Sequence, residues 1–151
     1  MTVRNQGRIL VVDDDPQIVK LITDYFTAEG YTVGAALHGA DALMAASEHR
    51  PDVVLLDVRM EGLNGVAVLD RLHAMEPAVR VVIMTAIHDA TLQQKTRSMG
   101  AFDYVIKPFT LSQLLQAVVA ALAGSNRPPT SAVPSGVGPA EPDTRGTRAR
   151  V

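Results

Sequence analysis

Four short runs of branched apolar residues recur along the chain, and each stops at a polar residue able to do chemistry. Ile9-Leu10-Val11-Val12 runs into Asp13-Asp14-Asp15, and Val53-Val54-Leu55-Leu56 runs into Asp57. Val81-Val82-Ile83-Met84 runs into Thr85, and Tyr104-Val105-Ile106 delivers Lys107-Pro108. A short apolar run bounded by polar or Gly-rich sequence reads as a strand buried on both faces. Such strands belong to parallel sheets covered by helices on both sides. Open α/β sheets place their chemistry beyond the carboxyl ends of the strands, which is where all four polar ends would fall.

Between these runs the spacing turns helical. Asp14 or Asp15 supplies an N-cap carboxylate, with Pro16 in the first turn. Ile18, Leu21, Ile22, Tyr25 and Phe26 then give the first helix its apolar face, and Gly30 stops it. Tyr31-Thr32-Val33 through Leu37 is a short second strand, and His38-Gly39 turns the chain. Ala40, Leu43, Met44 and Ser47 make a weaker stripe that ends near His49-Arg50-Pro51. The loop after Asp57 carries Gly62 and Gly65, with Asn64 a cap for a helix whose buried face is Val68, Leu69 and Leu72. Glu76-Pro77 ends that helix, and Val79 to Met84 is the fourth strand. Asp89 to Met99 is a polar helix with only Leu92 and Met99 as apolar anchors, closed by Gly100. Phe102 to Ile106 is the fifth strand, stopped by Pro108. Thr110 or Ser112 opens a last helix with Leu111, Leu114, Leu115, Val118 and Leu122 on one face. Strand and helix alternate five times with short connections. That pattern implies βαβ units, one parallel sheet and right-handed crossovers.

The chain of 151 residues, 47% apolar and 20% charged, suits one domain with a sizeable core. From Ser125 the composition shifts: Pro128, Pro129, Pro134, Pro139 and Pro142 alternate with small and polar residues, and periodic apolar positions cease. We divide the chain into a folded domain over 7–123 and a disordered tail over 124–151. The tail's arginines, Arg127, Arg145, Arg148 and Arg150, against Glu141 and Asp143 give it a net charge of +2; subtracting that from the chain's −2 leaves −4 on the body. A body of that sign gives no electrostatic case for nucleic acid. Aromatics at 4% and no Trp also argue against stacking platforms for single strands. No apolar stretch has the length of a membrane span, and Met1 to Arg8 lacks the pattern of a secretory signal. The absence of Cys excludes disulfides, thiol chemistry and Cys-based metal sites, and fits a cytoplasmic location.

Asp13, Asp14 and Asp57 would bring carboxylates together at the sheet edge, where repulsion calls for a raised pKa or a bound cation. Mg²⁺, with Mn²⁺ as a substitute, suits hard oxygen ligands, keeps waters and takes one or two carboxylates plus a phosphate. With the cation bound, Asp57 stays ionised and can attack phosphorus. Lys107 is a compact cation for phosphoryl oxygens, and the Thr85 hydroxyl can donate to one. Taken singly, each residue has a plainer reading. Asp14 and Asp15 could only cap the first helix, Thr85 could bond its own loop, Lys107-Pro108 could merely end a strand, and Tyr104 could be a core aromatic with a wet hydroxyl. His38, His49, His73 and His88 read as solvated surface.

The motifs together carry more. Ile9-Leu10-Val11-Val12-Asp13-Asp14-Asp15-Pro16, Asp57-x-x-Met60 with Gly65, Met84-Thr85-Ala86, and Gly100 through Phe109 occur in order on the right strand ends. This set resembles the receiver domain of bacterial two-component response regulators over about residues 7 to 123. The wording of Gly100 to Phe109 is closest to receivers of the enhancer-binding-regulator type. The resemblance implies a doubly wound, five-stranded parallel sheet of the flavodoxin-like (βα)5 type, with strand order 2-1-3-4-5. It implies phosphorylation on Asp57. It implies Mg²⁺ held by Asp14 directly, Asp13 through water, Asp57 and the backbone carbonyl of Arg59. Lys107 would pair with the phosphoryl group through a cis peptide to Pro108, Thr85 would move toward it, and Tyr104 would switch rotamer. Partners would be a sensor histidine kinase or phosphotransfer protein upstream and a protein target downstream, reached through helix four, strand five and helix five. A homodimer through that output face is compatible, although the full charge pattern of receivers that dimerise there is lacking.

The family usually has Pro where Glu61 stands. Arg59 and Ile87 occupy positions that tune dephosphorylation in the family. Ile87 cannot hold an attacking water by hydrogen bonds, and Arg59 crowds the phosphoryl group, so a long-lived phosphoryl state is expected. The protein is expected to be no enzyme beyond catalysing its own phosphorylation and slow dephosphorylation, and to be a stand-alone receiver. Competing readings are a receiver cut from a longer regulator, a docking module without chemistry, and a Mg²⁺-dependent phosphohydrolase. The last needs an acid two residues after the nucleophile, where Arg59 stands.

Overall fold

The computed structural model describes residues 6–58, 65–86 and 90–123. Its strands are β1 (Arg8–Val12), β2 (Thr32–Ala36), β3 (Val53–Asp57), β4 (Arg80–Thr85) and β5 (Asp103–Ile106). Its helices are α1 (Pro16–Ala28), α2 (Gly39–His49), α3 (Gly65–Met75), α4 (Ala90–Ser98) and α5 (Leu111–Leu122). The five strands form one sheet in the order β2-β1-β3-β4-β5, all pairs parallel. The fold is therefore the doubly wound α/β sheet expected from the sequence, in the same strand order. The expectations for Arg59, Met60, Glu61, Gly62, Asn64, Ile87, His88, Asp89 and the tail 124–151 lie outside the described residues.

The continuous apolar runs are explained by two cores. Every residue of β3 is buried. Side chains alternate across a strand, so Ile9 and Val11 join one cluster with Val19, Ile22 and Phe26 of α1 and Leu114 and Val118 of α5. Leu10 and Val12 join the other, with Ala42 of α2 and Val68, Leu69 and Leu72 of α3. Each large side chain so buried contributes roughly 1.5–3 kcal/mol. β2 is the exception because it is an edge strand, and only Ala36 on it is buried.

Some facial assignments need correction. On α1 the buried face is Val19, Ile22 and Phe26, while Leu21 is 53% exposed. The stripe runs at i, i+3 and i+7, and Leu21 stands about 100° of helical rotation from Ile22. On α2 the small Ala42 is buried, whereas Met44 is 64% exposed and Ala40 is exposed. The small Ala42 side chain is the one α2 turns fully into the core among the described alanines of this helix. His73 is half-buried and not on the solvated surface, its Nδ1 3.2 Å from the Met99 carbonyl and its Nε2 3.3 Å from that of Val79. His49 is half-buried too, against Gly34. On α4 the buried residue is Thr96, whose hydroxyl donates to the Leu92 and Gln93 carbonyls, so it reaches the core with its polarity met by its own helix.

Gly65 couples the fold to the site. A Cβ there would fall 2.2 Å from Val58 Cα and 2.7 Å from the Asp57 carbonyl oxygen, both backbone atoms. Its amide donates to the Val58 carbonyl at 3.2 Å. Gly65→Ala must therefore push the α3 start away from the end of β3. We expect it to destabilise by about 3 kcal/mol, at the upper end for overpacking, measured by denaturant unfolding. A change below about 0.5 kcal/mol, as at a neutral surface position, would contradict this close approach.

Candidate functional site at the carboxyl edge of the sheet

Strand register assembles the site. Val12 pairs with Leu56, so Asp13 and Asp57 are the next residues on adjacent strands. Asp57 pairs with Met84, and Thr85 follows. Thr85 pairs with Ile106, and Lys107 follows. The Lys107 amide donates to the Thr85 carbonyl at 2.7 Å, continuing the ladder by one rung past β5. The peptide between Lys107 and Pro108 is cis.

The side chains converge. One carboxylate oxygen from each of Asp13, Asp14 and Asp57 lies within 4.8 Å of the others. Asp13 is wholly buried, Asp57 is 5% exposed, and Asp14 is open to solvent. The Lys107 ammonium donates to Asp13 Oδ2 at 2.6 Å and to Asp57 Oδ2 at 3.3 Å. Asp13 Oδ1 accepts from the Asp15 amide at 3.0 Å, which holds its carboxylate in place. Asp15 itself caps α1, its Oδ1 accepting from the Gln17 amide at 2.9 Å with Pro16 opening the helix. The three consecutive aspartates thus divide into a buried, an exposed and a capping residue.

Lys107 feels two opposing influences. Burial by itself lowers its pKa, but the hydrogen bond and charge of Asp13, joined by those of Asp57, outweigh burial and raise it. The amine therefore stays charged and, among the described residues, is the cation paired with Asp13 and Asp57. Thr85 is fully buried on the strand next to Asp57. Tyr104 is 3% exposed, so its ring is turned into the core beside α4. Arg59, the expected carbonyl ligand, lies outside the described residues. All donors gathered at the edge are hard oxygens, which fits a divalent cation such as Mg²⁺ and disfavours Zn²⁺, which prefers nitrogen and sulfur. Among the described residues no helix is long and apolar enough to cross a membrane.

Sequence reasoning did not anticipate that Lys107 would pair with Asp13 more closely than with Asp57. It also missed buried Asp103, whose Oδ1 accepts from the Tyr104 amide at 2.8 Å and so holds the start of β5. Its only sequence signal was an acidic residue inside a strand-like run.

Fold and site together define an open α/β domain that gathers carboxylates and one lysine at a sheet edge. Residues 9–119 match the family described as the response regulator receiver domain, and the chain belongs to that family. It is 39% identical over 145 residues to the transcriptional regulatory protein PrrA of Mycobacterium tuberculosis, covering 95% of this chain and 62% of that protein. It is 36% identical over 111 residues to sporulation initiation phosphotransferase F of Bacillus subtilis, covering 74% of this chain and 90% of that one. The chain thus spans somewhat under two thirds of the mycobacterial relative. Among solved structures, the receiver domain of the Francisella response regulator 1452 superposes with a TM-score of 0.74 at 27% identity, covering 79% of this chain and 98% of that one.

Proposed function

We propose that Asp57 accepts a phosphoryl group from a phosphohistidine of a sensor kinase or phosphotransfer protein, and that the chain is a phosphorylation-dependent switch. The observation that carries this is the convergence of Asp13, Asp14, Asp57 and Lys107 at the carboxyl ends of β1, β3 and β5. An Asp57 carboxylate oxygen forms the new bond to phosphorus while the bond from phosphorus to the imidazole nitrogen breaks. The imidazole leaves and takes up a proton from solvent. Asp13, Asp14, Asp57 and the Arg59 carbonyl would hold Mg²⁺ or Mn²⁺, which when bound supplies charge neutralisation to the phosphoryl oxygens. Lys107 moves its charge from the carboxylates to the phosphoryl group, and the Thr85 hydroxyl donates to another phosphoryl oxygen. These new contacts bias a two-state equilibrium that Tyr104 reports, and the change is read by a protein target at the face formed by α4, β5 and α5. The chain catalyses only its own phosphorylation and slow dephosphorylation, in the cytoplasm.

Incubation with acetyl phosphate tests this reading. The parent protein should gain one phosphoryl group per chain in Mg²⁺ and none in excess chelator, by intact mass. Labelling that is indifferent to chelator would contradict the metal assignment. After removal of the donor the label should persist for minutes or longer, because the Ile87 side chain has no group to hydrogen-bond an attacking water and Arg59 would crowd the phosphoryl group. Decay within seconds would overturn that expectation.

A further inference from the structure

The opposite edge of the sheet, away from Asp57, carries a cavity of about 520 Å³ at the amino ends of β3 and β4. Its size is within the range that encloses a ligand or a few residues of chain. Leu72 and Met75 of α3 and Leu122 of α5 supply apolar wall, and Met75 is 47% exposed. Asp52, Glu76 and Arg80 supply charge. Among the described residues neither Glu76 nor Arg80 has an ion-pair partner, and Arg80 Nε is buried without a hydrogen-bond acceptor. The cavity therefore offers apolar surface, the Arg80 guanidinium and the Glu76 carboxylate, neither of them ion-paired among the described residues, while Asp52 already accepts from the Arg8 amide at 2.9 Å.

The chain itself supplies an occupant. α5 ends at Leu122, in the cavity wall, and the sequence continues Ser125-Asn126-Arg127-Pro128-Pro129-Thr130-Ser131-Ala132-Val133-Pro134. Eleven residues from Ala123 in polyproline geometry reach roughly 34 Å, several times what is needed to cross such a cavity. Prolines bring no N–H to be left unsatisfied and lose little entropy on ordering. Ala132 and Val133 are apolar, Arg127 complements Glu76 and Asp52, and a backbone carbonyl of the segment can accept from the Arg80 guanidinium where it lines the cavity. We propose that residues 125–134 dock in this cavity within the same chain. Docking fixes the C-terminal extension to the edge remote from Asp57 and leaves the face of α4, β5 and α5 free. The composition that denies the tail a core of its own is compatible with folding onto a prepared surface.

The absence of Cys makes a single spin label clean. In the full chain carrying Ala132→Cys with a nitroxide, the amide peaks of Ala46, Leu72 and Ala78 should lose most of their intensity, while those of Asp13 and Thr85 keep theirs. A cavity-filling Ala46→Trp should restore the lost intensity; if that variant misfolds, Arg80→Met, which removes the donor, should restore part of it. Undiminished cavity peaks, or loss spread evenly over the domain, would overturn the proposal. So would broadening that appears when isotope-labelled parent is mixed with unlabelled, spin-labelled chain, because the occupant would then be a second copy.

Discussion

Asp57→Asn should reduce labelling by acetyl phosphate by about 10³-fold or more, to background, because the amide is no nucleophile at neutral pH. The same substitution should leave the metal-free fold as stable as the parent or more so. Three carboxylates lie within 4.8 Å, and the tighter contact of Lys107 is with Asp13, at 2.6 Å against 3.3 Å for Asp57. Removing the charge of Asp57 relieves repulsion and leaves the closer pair intact. Loss of labelling with an unchanged or raised midpoint in urea is the expected combination. A variant that labels like the parent would show that another residue accepts the group. A variant that unfolds would show that Asp57 is held mainly for structure.

Lys107→Ala should behave oppositely, costing both stability and chemistry. Its ammonium is the cation facing wholly buried Asp13, and its own side chain is only 20% exposed. Deleting one partner of a buried pair strands the other, at a cost of about 3–5 kcal/mol. Saturating Mg²⁺ should return part of this, about 2.7 kcal/mol at a concentration 100 times its dissociation constant. The sign of the pH dependence follows from the raised pKa. A raised folded value contributes stability that is full below the unfolded value and is lost as pH climbs through the folded one. The parent should therefore lose this contribution only above about pH 10.4, and the variant should lack that alkaline step. Urea unfolding of both proteins across pH, with and without Mg²⁺, measures all three effects. A variant as stable as the parent without metal would contradict the role given to Lys107.

The contrast between these substitutions shows where sequence is informative. The sheet was legible because strands buried on both faces must be apolar throughout, as Val53 to Leu56 are, and because each run stopped at a polar residue. The site was legible because parallel strands in register bring their next residues together, so Asp13, Asp57, Thr85 and Lys107 converge without long-range information. Helix faces were less legible. Leu21 and Met44 are apolar yet exposed, and Thr96 is polar yet buried, because a face is chosen by the neighbouring sheet and not by hydropathy alone. His73 could not be placed from sequence, since its two carbonyl neighbours, Met99 and Val79, belong to segments that only the fold brings to it. The pairing of Lys107 with Asp13 was hidden for a similar reason. The two are 94 positions apart, and which carboxylate the flexible ammonium prefers depends on burial.

The most direct measurement is chemical trapping of the modified residue. The parent is treated with acetyl phosphate and Mg²⁺, the acyl phosphate is reduced with borohydride, and the converted aspartate is located by tandem mass spectrometry of a proteolytic digest. Conversion at Asp57 alone is the result this account predicts. Conversion at Asp13, Asp14 or elsewhere, or phosphoryl incorporation that borohydride cannot trap, would contradict it.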